Sequence, residues 1–211
     1  TYADAAANQL ALNNFQQAAD LYDAALQMDP NAPAYVYADA AYANRMAKRN
    51  QRSAQLYNIT LQIDPNAPAH IYTDAAFMNG KINNWRLTVE QYEIARQIDP
   101  NFDANNYNNL AHAYARLGNW HQSLRYGLIA KTKGAACVSF NLGVAYLQLG
   151  KTEEGIKYIK EFIDSSSALR LGRQVLKGKP IEILEHAFSG LPDTKYCTWL
   201  LQQKAIIESM N

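Results

Sequence analysis

Apolar and small residues return along most of the chain in short stretches at i, i+3 and i+4, the spacing that places them on one face of a helix. Leu21, Tyr22 and Ala25 form one such face; Leu56, Tyr57 and Thr60 form the next, and Tyr92 and Ala95 a third. Each of these three helices is expected to stop at Asp-Pro, because proline cannot continue a helix and biases its predecessor toward extended angles. The stops are periodic. Met28-Asp29-Pro30-Asn31, Ile63-Asp64-Pro65-Asn66 and Ile98-Asp99-Pro100-Asn101 recur every 35 residues, and Tyr2, Tyr37, Tyr72 and Tyr107 keep the same step, with Ser139 following after 32. A period of this length marks a stacked-repeat architecture. Five units are implied.

Inside each unit a pair of small residues stands 12 positions apart: Ala6 with Ala18, Ala41 with Ser53, Ala76 with Thr88, Ala111 with Ser123, and Gly143 with Gly155. Two helices joined by a tight turn need small side chains where their backbones approach most closely, so a constant separation predicts a constant hairpin. Asn13-Asn14, Asn83-Asn84, Gly118-Asn119 and Gly150-Lys151 lie between the two apolar stretches and suit left-handed backbone angles. Arg49-Asn50 is the weakest of the expected turns.

The run Tyr107-Asn-Asn-Leu110-Ala111-His-Ala-Tyr114-Ala-Arg-Leu-Gly118-Asn-Trp120 resembles the tetratricopeptide repeat (TPR) family, as does the run from Asn141-Leu142-Gly143 through Tyr146 and Gly150 to Gly155. Units one to three share the family's small-residue pair and closing Asp-Pro. They carry Ala5, Ala40 and Ala75 where the family has Leu, and Gln9, Asn44 and Asn79 where its first-helix Tyr would stand. The resemblance implies an all-α, right-handed α-solenoid of about five helix-turn-helix repeats, at 1–34, 35–69, 70–104, 105–136 and 137–166. A 35-residue step also suits the RNA-binding pentatricopeptide family, but the extra residue falls in the Asp-Pro-Asn-Ala-Pro connection rather than in the hairpin.

After residue 166 the pattern changes. Short helices are expected over 168–177 and 180–189, and a last one over 194–210 with Asp193 as N-cap and Tyr196, Trp199, Leu200, Ile206 and Ile207 on one face. A repeat stack ends in an apolar face, so 167–211 reads as a helical cap, with a self-association or partner-docking helix as the alternative.

Composition narrows the function. The chain of 211 residues has 20 Lys+Arg against 19 Asp+Glu and only Cys137 and Cys197, so it offers no polyanion-binding field and no disulfide framework. Nucleic acid is not an expected partner. No apolar run reaches the roughly 18 residues of a spanning helix, and membrane insertion is not expected. The chain begins on an apolar-periodic segment without Met, which suggests that a preceding part, with any address signal, was removed; no targeting segment is visible. Phosphate-loop, GxSxG and HExxH motifs are missing, and His70 and His112 lack further ligands at metal-binding spacing, so neither enzyme chemistry nor a cofactor or metal is expected. Asn58-Ile59-Thr60 fits the glycosylation pattern but falls within an expected helix.

The resemblance further implies that the first helix of each unit lines a concave groove. Corresponding positions then form rows: Asp4, Asp39, Asp74, Asn109, Asn141; Ala7, Tyr42, Phe77, His112, Val144; Tyr35, His70, Asn105, Cys137; and Ala3, Ala38, Thr73, Asn108, Phe140. Amides, carboxylates and rings in this order suit an extended or helical peptide. The expected groove is therefore Tyr35, Asp39, Tyr42, His70, Thr73, Asp74, Phe77, Asn105, Asn108, Asn109, His112 and Asn141. The aspartates could equally be solvated or capping carboxylates, and Tyr42 and Phe77 could pack between units. Residues 1–100 carry seven basic and ten acidic side chains, whereas 101–211 carry thirteen and nine. A partner peptide with Lys or Arg in the N-terminal half follows from that asymmetry. The expected function is a non-catalytic scaffold for protein interaction; self-assembly through the convex face and last helix, as a homo-oligomer, and an accessory role beside an enzyme domain are the other options.

Overall fold

A computed structural model describes residues 1–135 and 138–164 of the chain. They form ten helices and no strand: α1 (Tyr2–Ala11), α2 (Phe15–Met28), α3 (Ala34–Met46), α4 (Asn50–Ile63), α5 (Ala69–Lys81), α6 (Trp85–Ile98), α7 (Ala104–Arg116), α8 (Trp120–Thr132), α9 (Val138–Gln148) and α10 (Thr152–Asp164). The expected cap over 167–211 and Cys137 lie outside the described residues. Each odd-numbered helix packs on the even one that follows, and each even one on the next odd one, giving a helical-repeat solenoid.

The small pairs lie where each hairpin is tightest. Ala6 with Ala18, and Ala41 with Ser53, are fully buried, and the Ser53 hydroxyl donates to the Ala41 carbonyl at 2.8 Å. At Gly143 and Gly155 a Cβ on either residue would stand 3.1 Å from the other's carbonyl oxygen and under 3 Å from Ile159 or Leu147. There only glycine fits.

All five turns close alike. Asn13, Lys48, Asn83, Gly118 and Gly150 take φ of 59° to 75° at equivalent positions. The next residue then donates its amide back to the final helical turn, as from Asn14 to Gln9, Arg49 to Asn44, and Asn119 to Tyr114, each at 2.8 to 2.9 Å. This is the Schellman closure, which satisfies carbonyls that a helix end leaves free. In the second unit the left-handed residue is Lys48, one position ahead of the expected Arg49-Asn50.

The Asp-Pro-Asn connections also work by local chemistry. Asp29, Asp64 and Asp99 each accept, through Oδ1, the amide of the asparagine two residues on, at 2.8 to 3.1 Å, which is an Asx turn. Tyr37 and Tyr72 donate their hydroxyls to the carbonyls of Pro30 and Pro65, both at 2.7 Å, so the tyrosine column pins each loop to the following unit.

Bends in the stack follow from unequal contact. First helices of neighbouring units touch, α1 with α3, α5 with α7 and α7 with α9, while no pair of second helices approaches as extensively. The odd-numbered helices therefore line the inside of the curve. On the outside, Arg49 bridges to Asp20 at 2.6 Å and Arg52 to Asp23 at 2.8 Å, joining the first two units.

Asn44 and Asn79 stand buried where the family resemblance places a tyrosine. Asn79 donates to Asn58 at 2.8 Å and to Gln91 at 2.9 Å, and Gln91 donates to Asn58 at 2.9 Å, a satisfied amide cluster between units that also occupies the side chain of the glycosylation-like Asn58. The equivalent of Gln91 one unit earlier is Leu56, so among the described residues Asn44 donates only to the Ala40 carbonyl and its Oδ1 has no partner. Leucine at position 44 should remove that desolvation cost and raise stability by about 1 kcal/mol in urea denaturation. Lys48→Gly should also stabilise by roughly 1 kcal/mol, because the left-handed conformation costs a β-carbon more than glycine loses in chain entropy; an unchanged midpoint would contradict this account.

Candidate functional site

The concave wall is built from one face of α3, α5, α7 and α9, and each side chain on it is placed by the periodicity of its helix. Tyr35, His70 and Asn105 stand at the second residue of α3, α5 and α7 and are exposed, Tyr35 to 67%. These three make no cluster; each marks the mouth of its own unit. Thr73 is half-buried and turns its hydroxyl back to the Ala69 carbonyl at 3.0 Å.

The aspartate row has a role that its sequence pattern does not disclose. A tyrosine from the second helix of each of the first three units reaches the next unit's member of the row. Tyr57 donates to Asp74 Oδ2 at 3.2 Å, Asn109 donates to the Tyr92 hydroxyl at 3.2 Å, and the Tyr22 hydroxyl meets Asp39. Burial, followed by the charge of Asp39, pushes the Tyr22 phenol up to about 12. The row is therefore an inter-unit ladder from Asp39 to Asn109, exposed at Asp39 and half-buried at Asp74 and Asn109. Asp4, at the open end, instead completes a capping box with Thr1. Asn141 departs as well: Gly127 replaces the tyrosine, Leu142 fills the space where its side chain would be, and Asn141 donates to Asn108 at 3.0 Å.

Within the ladder the two aspartates differ electrostatically. Arg45 Nη1 lies 2.7 Å from Asp74 Oδ1, both side chains 27% exposed, and its guanidinium stacks 5.0 Å above the Tyr42 ring. Asp39 pairs with no Lys or Arg among the described residues. Burial raises its pKa above the ordinary carboxylate value, and the Tyr22 hydrogen bond offsets only part of that.

Farther along the groove, Phe77 is 37% exposed beneath Lys81, whose Nζ lies 5.1 Å from the ring centroid. His112 meets Trp85 edge to face at 5.4 Å, and Arg116 lies 5.1 Å above the Trp85 ring. His112 is exposed overall, and neighbouring atoms, the Trp85 ring among them, partly desolvate its imidazole. That desolvation, then the charge of Arg116, holds its pKa below the ordinary imidazole value. Sequence reasoning missed Arg45, Lys81, Arg116 and Trp85. A signal was present: Lys81 follows Phe77, and Arg116 follows His112, at i+4, the neighbouring position on one helix face.

The fold and this inner wall define a helical-repeat solenoid with a polar, ring-lined groove. Residues 3–68 and 138–168 each match the tetratricopeptide repeat family. Several solved structures share the fold. A MamA crystal structure aligns with TM-score 0.64 and 18% identity over 84% of this chain and 93% of that one; a second MamA structure gives 0.65 and 17% over 91% and 96%. YrrB, described as a TPR protein with an unusual peptide-binding site, gives 0.69 and 18% over 83% and 90%. No curated protein matches the chain in sequence. These two segments of the chain are tetratricopeptide repeats, and the fold around them is that of an all-helical repeat solenoid. No helix among the described residues is long and apolar enough to cross a membrane.

The state of Asp39 yields a pH test. A carboxyl whose folded pKa is raised contributes stability below the unfolded pKa and loses it as pH climbs through the folded one. Asp39→Asn lacks that loss. Its stability relative to wild type should therefore increase from pH 3 to pH 7 in parallel denaturant titrations, and a gap that is flat or narrows over this range would refute the assignment.

Proposed function

We propose that the chain is a non-catalytic interaction scaffold that holds a polypeptide segment of a partner in its concave groove, with a Lys or Arg of that segment at Asp39. The observation that carries this reading is the carboxylate itself. Asp39 is exposed on the inner wall, its pKa is raised by partial desolvation, and it pairs with no Lys or Arg among the described residues, whereas Asp74, its equivalent one unit later, is neutralised by Arg45. A group kept ionised at a cost to folding is characteristic of binding surfaces, where a ligand supplies the missing charge.

The surrounding groups support a peptide rather than a small molecule. Tyr35 and Tyr42 offer ring faces on the same helix as Asp39, Phe77 continues them into the next unit, and the amides of Asn105, Asn108 and Asn109 can meet a backbone. His70 and Thr73 border the same wall. Proteins of this family act as interaction scaffolds, and the printed description of YrrB names a peptide-binding site.

A random short-peptide library screened against the chain should return binders containing Lys or Arg. Asp39→Asn should weaken them about tenfold, the 1–2 kcal/mol expected of a charge-assisted hydrogen bond, and flatten their salt dependence without lowering the melting temperature. Replacing Tyr42, Phe77 and His112 together by Ala should abolish binding; affinity indifferent to both changes would eliminate the reading.

A further inference from the structure

The ladder loses its negative charge partway along the stack while basic residues continue at the ends of the first helices. Beyond Asp4 at the open end the row runs Asp39, Asp74, Asn109, Asn141, so its carboxylates stop at the third unit. Arg45, in the last turn of α3, finds Asp74 across the unit boundary at 2.7 Å. Lys81 and Arg116, the final residues of α5 and α7, stand 35 positions apart and one residue past the register of Arg45, in the units where the row turns from carboxylate to amide. Neither forms an ion pair among the described residues. Glu93, on the helix between α5 and α7, is held by Arg96 at 2.7 Å and by the Tyr114 hydroxyl at 3.0 Å.

A helix C-terminus favours a cation through its dipole, which explains a basic residue at each of these places. It does not explain why both are held against rings. Lys81 lies over Phe77 and Arg116 over Trp85, while α5 and α7 touch each other, so two exposed charges stand against rings at the C-terminal ends of neighbouring helices. A stacked cation keeps its outer donors free for a carboxylate.

We propose that Lys81 and Arg116 form an acceptor for an acidic side chain of the bound polypeptide, flanked by the exposed Phe77 ring, which takes an adjacent apolar residue. The occupant is a partner segment with a basic residue toward α3 and an acidic one toward α5 and α7, and that polarity sets the direction in which it lies. Charge complementarity carries the assignment: the wall presents an unpaired anion at Asp39 and two unpaired cations farther along. The inference rests on reading the groove as a peptide site.

The test uses the full chain and a phage-displayed random library of short peptides. Binders should be enriched in Asp or Glu on one side of their Lys or Arg. They should bind the Lys81→Glu, Arg116→Glu double variant at least tenfold more weakly than wild type, and Lys81→Ala, Arg116→Ala by a smaller factor, with unchanged thermal melts. Binders that lack acidic enrichment, or that bind the charge-reversed variant as well as wild type, overturn this inference alone, provided they remain sensitive to Asp39→Asn or Tyr42→Ala. Failure to enrich any peptide, or binders indifferent to all of these changes, overturns the groove reading and this inference with it.

Discussion

Each hairpin brings two helix backbones together at one pair of small residues, and the rest of the molecule inherits its regularity from that approach. Ala6 on Ala18 and Ala41 on Ser53 allow the approach with a methyl or a hydroxymethyl group, whereas Gly143 and Gly155 stand where even a Cβ would collide. Because close-packed interiors have little room to deform, a fixed crossing point fixes the angle and spacing of the helices that leave it. Units built this way stack with the same offset each time. Residues separated by 35 positions therefore fall into line along the inner wall, and a row of side chains becomes a surface.

Polar chemistry between units adds register to that packing. The Tyr57 and Tyr92 hydroxyls reach the next unit's Asp74 and Asn109, Tyr37 and Tyr72 hold the proline carbonyls, and the Asn58, Asn79 and Gln91 amides close on one another. Sliding one unit against its neighbour would strand each of these groups without a partner in a dehydrated boundary. The same bonds orient the groove, since the inner faces of Asp39, Asp74 and Asn109 are set by tyrosines behind them. Packing and the proposed binding surface thus share residues, and Asp39 belongs to both as a partner of Tyr22 that pairs with no Lys or Arg among the described residues.

Much of this was legible in the amino-acid order. The 35-residue step, the pairs 12 apart and the Asp-Pro stops announced helical hairpins, and the tetratricopeptide resemblance oriented their first helices inward. What the periodic reading could not separate was the fate of equivalent residues. Asp39 and Asp74 look alike as members of one row, yet only Asp74 has Arg45 within reach. Asn44 and Asn79 likewise match in sequence, but the exchange of Gln91 for Leu56 satisfies one and orphans the other. Lys48 took the left-handed turn position because a conserved geometry outweighs the mild preference of one residue.

The sequence by itself determined the helices, their pairing and the rows, because helix periodicity and the sterics of glycine, alanine and proline act over a few neighbouring residues. Tertiary structure alone decided which groove charges are spent and which are free. An ion pair such as Arg45 with Asp74, or a stack such as Arg116 on Trp85, joins residues some 30 positions apart across a unit boundary. Their strength depends on separations of a few ångströms and on the water excluded between them, neither of which is written in a repeat's spacing.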